Sequence, residues 1–245
     1  MDVLWTSAFI DLDADTFDVG VSFWAAATDS EISPRRGDTE EFATLIPSNG
    51  DSYLRVQRTD DGSSGIHLDL HVASVEASAA EAETLGATVV DQLGYIVMQS
   101  PGGFVFCFVD HHGEAQPPVA DGAVRSPDQV CIDIPPASYE AESRFWTALT
   151  GWEMRQSPLP EFRSLRQPAH IPLRFLLQRL DHGEPDQLAH AHLDIGCGDD
   201  IASVADRHVE LGATSGAMTK LWKQMRDPAG LDYCLTPRSP RRAQQ

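Results

Sequence analysis

The chain repeats itself. Phe23-Trp24, Ile66-His67-Leu68-Asp69-Leu70, Leu85-Gly86-Ala87-Thr88 and Phe106-Cys107-Phe108 occur in that order in the first half. The second half answers with Phe145-Trp146, Ala191-His192-Leu193-Asp194-Ile195, Leu211-Gly212-Ala213-Thr214 and Tyr233-Cys234-Leu235. Four landmarks kept in order at an offset of about 125 residues mark a duplicated module. With 245 residues in all, each copy is long enough to bury a core. The stretch between the copies is rich in Gly, Pro and polar residues and reads as a linker. The expected organisation is a first domain at 1–115, a linker at 116–126, a second domain at 127–237 and a basic, Pro-rich, disordered tail at 238–245.

Within the first copy, alternation over Ser7–Leu12 predicts a strand. Phe17, Val21 and Trp24 recur at helical spacing over residues 16–28, with Asp15 placed to cap the helix. Two short β-prone runs at 42–46 and 53–57 flank a Pro-Ser-Asn-Gly-Asp turn and predict a hairpin. The order then restarts. A strand at 67–72 leads to an Ala/Glu-rich helix at 75–85, stopped by Gly86, and to strands near 95–98 and 104–109. The second copy repeats this, with helices near 138–149 and 200–211. The fold class expected is α+β: four βαβββ units, each a sheet segment with its helix on one face.

Composition narrows the function. A net charge of -19 repels phosphate backbones and anionic lipid, so neither nucleic acid nor a membrane is an expected partner. No apolar run approaches the length of a membrane span, and the Met1-Asp2-Val3 start has no signal-like pattern. A cytoplasmic location follows as the expectation. Cys107, Cys131, Cys197 and Cys234 form no C-x-x-C pair, which excludes a zinc ribbon and leaves them as free thiols.

Alternation in the strands around the histidines separates two faces. His67, Asp69 and His71 point one way and Leu68, Leu70 and Val72 the other; His192 and Asp194 oppose Leu193 and Ile195 in the same manner. The apolar face belongs under a helix. The polar face meets either solvent, in which case the Asp merely orients its His, or a polar cavity.

The Phe-Trp helix, the His-Leu-Asp-Leu strand, the Leu-Gly-Ala stop and Asp227-Pro-Ala-Gly-Leu-Asp-Tyr-Cys-Leu235 together resemble the vicinal-oxygen-chelate superfamily, in particular its glyoxalase-like branch. The resemblance covers roughly residues 4–112 and 127–237. It implies paired βαβββ units forming two curved open-barrel sheets, helices on the outer face, with one ligand cleft per domain, in a superfamily that includes glyoxalases, extradiol dioxygenases and bleomycin-binding resistance proteins. Its metalloenzymes place His or Gln, Glu, His and Glu on four strands. Aligned to them, the first half offers Ser7, Gln57, His67 and Cys107, and the second Gln129, Gln178, His192 and Cys234. A thiol stands where the family has its last carboxylate. A His with Cys and a neutral Gln or Ser suits zinc far better than iron or magnesium.

The sequence therefore favours a small-molecule binder, or a metal-free enzyme, acting on a small organic metabolite or antibiotic-like compound. In the enzymatic version His67 or His192 moves a proton, oriented by Asp69 or Asp194. Gln57, Cys107, Gln129, Gln178 and Cys234 are the expected ligand-binding residues, joined by Trp222 and Arg226, which share a strand face and suit a planar anionic ligand. The alternative is a metal-dependent lyase or dioxygenase; its zinc, nickel or iron would sit on Gln129, His192 and Cys234. A third reading is an interaction module whose clefts its own side chains fill. His111-His112 lies just past the last predicted strand of the first copy, at the start of the Gly- and Pro-rich stretch between the copies, and is expected to be inert. Monomer and homodimer both remain open.

Overall fold

In the first copy, alternating hydrophobic residues produce β1 (Trp5–Asp13), and Phe17, Val21 and Trp24 line the buried face of α1 (Phe17–Thr28). The computed structural model describes residues 1–120, 125–184, 186–219 and 221–240. The copy continues with β2 (Glu31–Ile32), β3 (Phe42–Ile46), β4 (Leu54–Thr59), β5 (Gly65–Val72), α2 (Val75–Thr84), β6 (Thr88–Gln92), β7 (Ile96–Gln99) and β8 (Val105–Asp110). The second copy gives β9 (Pro127–Ile134), α3 (Tyr139–Thr150), β10 (Glu153–Gln156), β11 (Phe162–Arg166), β12 (Arg174–Arg179) and β13 (His190–Gly196). It closes with α4 (Ile201–Glu210), β14 (Thr214–Met218), β15 (Lys223–Arg226) and β16 (Asp232–Thr236).

The two copies make two eight-stranded sheets with the same order, β2-β3-β4-β1-β5-β8-β7-β6 and β10-β11-β12-β9-β13-β16-β15-β14. Both are mixed: β5–β8 and β13–β16 run parallel, whereas the hairpins within each module are antiparallel. Each order is linear and ends on two edge strands, so the sheets are open rather than closed barrels.

The helix starts differ from expectation. Thr16, not Asp15, precedes α1, and it makes no side-chain cap. The N–H of Asp15 donates instead to Asp13 Oδ1 at 2.9 Å, so the turn is fixed from the strand side. Ser74 does cap α2, accepting from the Ala77 N–H. Gly86 follows α2 at φ 103°, a conformation that excludes a side chain with little strain and so ends the helix there.

By density of packing the chain divides into two compact units, each drawing one βαβββ module from each copy. The first holds Met1–Ala8, His67–Ala115 and Val130–Ala191; the second holds Phe9–Ile66, Gln116–Gln129 and His192–Gln245. In the first unit Phe104, Phe106 and Phe175 surround Trp146, with ring centroids 5.2 Å apart for Phe106 and Trp146. In the second, Trp24 packs on Tyr233 at 5.2 Å and Phe23 on His208 at 5.7 Å. His208 Nδ1 and the Tyr233 hydroxyl share a buried 2.9 Å hydrogen bond.

Each unit buries one indole N–H against one acid, but from different places. In the second unit Trp24 Nε1 donates to Asp227 Oδ2 at 2.8 Å, and Asp227 belongs to the turn between β15 and β16. In the first unit Trp146 Nε1 donates to Glu142 Oε2 at 2.6 Å, one turn earlier on its own helix. Ser100, at the turn position matching Asp227, and the Gly102 N–H both donate to the other oxygen of Glu142. The helix position matching Glu142 is Gly20, where an added Cβ would stand 2.8 Å from Leu12 Cδ1 and 3.1 Å from Ala229 Cβ. Burial raises the pKa of both Glu142 and Asp227, against the pull of their hydrogen-bond donors.

The expected linker is fastened where it is described. The N–H of Asp51 donates to the Gln116 carbonyl at 2.7 Å, and Val119 exchanges bonds with the Asn49 side chain at 2.8 and 3.2 Å. Residues 121–124 of that linker and 241–245 of the expected tail lie outside the described residues. Among the described residues, no helix is long and apolar enough to cross a membrane.

Candidate functional site

The first candidate site grows out of strand pairing in the first unit. On β5, Leu68, Leu70 and Val72 are buried under the helical layer, as their alternation requires. The opposite face is no solvated surface: Asp69 is 4 % exposed and His71 0 %. Burying two polar side chains on one strand face is costly unless each finds a partner. The parallel partner β8 sets Cys107 directly beside Asp69 in register, while Phe106 and Phe108 go into the core. His67, one alternation step before Asp69, lies with its Nε2 3.9 Å from Asp69 Oδ1. One donor atom each from His67, Asp69 and Cys107 falls within 4.8 Å of the others.

The second unit carries a related arrangement. Asp194 on β13 pairs in register with Cys234 on β16, again in parallel strands. His192 Nε2 lies 3.3 Å from Asp194 Oδ1. The Gln129 side-chain amide donates to the other oxygen of Asp194 at 2.5 Å. Asp194 is thus held from one side by an imidazole and from the other by an amide, and it is 3 % exposed.

A profile of the glyoxalase-like domain matches residues 8–109 and again 129–236. The chain belongs to the glyoxalase-like domain family. It is a member of the vicinal-oxygen-chelate superfamily, with two tandem glyoxalase-like domains. Solved structures of similar fold include a mutant 4-hydroxymandelate synthase from Streptomyces coelicolor, at 15% identity over 100% of this chain and 94% of that one, TM-score 0.63. The 2,3-dioxygenase LapB from Pseudomonas sp. KL28 gives 11% identity over 96% and 92%, TM-score 0.67. A Mn(II)-bound glyoxalase from Novosphingobium aromaticivorans gives 17% over 98% and 84%, TM-score 0.66. No curated protein matches the sequence.

Against the glyoxalase-like pattern, the remaining residues singled out from sequence fall as follows. Ser7 hydrogen-bonds to His71 Nε2 at 2.9 Å, a different histidine from the His67 to which the alignment joined it. Gln129 serves Asp194, so the carboxylate rather than the amide stands beside His192. Gln178 on β12 accepts from the Cys131 thiol at 3.6 Å. Gln57 is half-buried on β4, opposite Phe42 in register. Trp222 lies before β15 rather than on it, its N–H bound to Thr219 Oγ1 at 2.9 Å. Arg226 is exposed, and Asp232, its register partner, takes two of its donors at 2.9 Å each. That bidentate pair occupies the fork expected to orient an anionic ligand. Cys197 is a packing thiol, its pKa pushed up to about 12 by burial.

Sequence reasoning treated Asp69 and Asp194 as orienting groups only. The signal it lacked was the β5–β8 and β13–β16 register, which sets each acid beside a cysteine. It also dismissed His111, which the fold brings to His71 and Glu114.

Proposed function

We propose that this chain is a metal-dependent enzyme of the vicinal-oxygen-chelate superfamily, acting on a small organic substrate. The sequence favoured a metal-free binder because the family's last carboxylate is replaced by Cys107. The observation that carries the revised reading is the group His67, Asp69 and Cys107, with donors within 4.8 Å of one another. The acid missing from the last strand is available from the neighbouring one.

The donor set fits a borderline ion of the zinc type. Tetrahedral bonds of 2.0–2.3 Å separate neighbouring ligand atoms by about 3.4–3.7 Å, and small side-chain rotations close the remaining gap. A thiolate and a carboxylate with a neutral imidazole balance a dication, and three protein ligands leave a position for substrate. A metal held there would supply Lewis-acid polarisation of a substrate oxygen. Among the proteins of similar fold are a Mn(II)-bound glyoxalase and two dioxygenases, which supports this reading.

In the second unit the 3.3 Å approach of His192 to Asp194 supports a proton-transfer role. Asp194, anchored by Gln129, would fix the imidazole's tautomer and stabilise its protonated form.

The test is metal analysis of untagged protein purified without chelator. Stoichiometric metal is expected, with the equivalent bound at the His67 group lost in Cys107→Ser and in Asp69→Asn. Metal-free protein that gains none on dialysis against Zn(II) would refute the proposal and restore the binder reading.

A further inference from the structure

At the C-terminal end of the parallel β5–β8 pair, three side chains outside the glyoxalase-like site converge. His71 is the last polar-face residue of β5 and is 0 % exposed. His111 and Glu114 follow β8 directly, and the His111 N–H continues the ladder to the Val72 carbonyl at 3.3 Å. Glu114 Oε2 lies 3.8 Å from His71 Nδ1 and 3.3 Å from His111 Nδ1. The three donor atoms fall within 4.8 Å of one another.

We infer that His71, His111 and Glu114 form a second divalent-metal site, of the zinc type, independent of the His67 group. The spacings carry the argument. Ligand atoms around a tetrahedral zinc sit about 3.3–3.4 Å apart for nitrogen and oxygen donors, close to the two separations here. The supports expected around metal ligands are also present. The Ser7 hydroxyl and His71 Nε2 share a 2.9 Å hydrogen bond; with the proton on Nε2, the Nδ1 lone pair faces Glu114. The His112 N–H donates to Glu114 Oε2 at 3.1 Å and fixes the carboxylate. His111 Nδ1 is buried and makes no hydrogen bond, although Glu114 stands beside it. A nitrogen desolvated in that way gains from a cation more than from its present surroundings. His111 and Glu114 side chains keep 22% and 18% exposure, which gives the ion an entry path and a solvent-side position. Two imidazoles and one carboxylate without sulfur select zinc, nickel or cobalt over soft ions. A bound ion would tie the segment after β8 back to β5.

Cobalt(II) distinguishes this site from the one proposed for function, because only the latter holds a thiolate. Full-length, untagged protein is stripped with chelator and titrated with Co(II), reading stoichiometry by equilibrium dialysis and ligand type by absorption. In Cys107→Ser the thiolate-to-cobalt charge-transfer band of the first site is lost. The His71 site is expected to persist in that variant as visible bands without charge transfer. His111→Ala and Glu114→Gln, both at partly exposed positions beyond the strand, are each expected to bind one equivalent less than their parent. His112→Ala is expected to bind the full amount. Equal cobalt binding by His111→Ala, Glu114→Gln and the parent, or no binding at all by Cys107→Ser, would overturn the inference. Neither result bears on metal at His67, whose own reporter is the charge-transfer band.

Discussion

Lowering the pH from 7 to 5 is expected to weaken the second unit through His208. This imidazole is buried against Phe23 and Tyr233, and burial, helped by the charge of Arg207, lowers its pKa to about 4. Unfolding frees it to titrate near the ordinary imidazole value of 6.5. Between those values the unfolded chain binds the extra proton, so stability is present above the unfolded pKa and is lost as pH falls towards the folded one. The two values correspond to a loss of about 2 kcal/mol between pH 7 and pH 5, rising to about 3 kcal/mol below pH 4. Denaturant unfolding at both pH values, for wild type and His208→Gln, measures it. The variant starts less stable, because it forfeits ring contacts and strains the Tyr233 hydrogen bond, but its stability should lack this acid-side decline. Taking the difference between the two proteins removes the contribution of every other titrating group. Parallel pH dependences for wild type and His208→Gln would refute the reasoning.

Three further outcomes are expected. Glu142→Gln should destabilise by about 1–3 kcal/mol at neutral pH, because the amide has one accepting oxygen and its NH2 must face either the Trp146 N–H or the Ser100 and Gly102 donors. Glu142 has a folded pKa above its unfolded value of 4.5, so its contribution is complete below that value and declines as pH rises; the variant should lack that decline in denaturant melts from pH 4 to pH 8. Gly20→Ala should cost about 1–3 kcal/mol by forcing a methyl onto Leu12 and Ala229, read as a lower midpoint with unchanged m-value. Phe106→Ala should cost about 3–5 kcal/mol, because the ring touches Phe108, Phe145 and Trp146 and nothing nearby can fill the space.

Much of the architecture was legible because local signals and tertiary demands agree. The helical spacing of Phe17, Val21 and Trp24, the glycine after α2 and the alternation in β5 each specify an element without help from the rest of the chain. The edge strands β6 and β14 were not legible, since nearly every residue in them is exposed and no apolar face announces them. His67 and His192 stand out in the sequence by their place beside core leucines, whereas His111 does not. Nor do the partners of these histidines. Asp69 meets Cys107 only because β5 and β8 pair in one parallel register, and His111 meets Glu114 and His71 only because the chain turns after β8. Register across residues so distant in sequence leaves no periodic trace. Ser7 shows the same limit: it reaches His71 on another strand, a contact that an alignment to relatives does not resolve.

The unequal placing of the indole acceptors has an evolutionary corollary. Suppose the first copy were excised and made to assemble with a twin: the Trp24 helix, carrying Gly20, would meet a Ser100 corner, and no acid would receive its indole. A twin pair of second copies would instead crowd Glu142 and Asp227 around a single nitrogen. Divergence has matched each helix to one corner, so helix and corner are best grafted between the copies as a matched set.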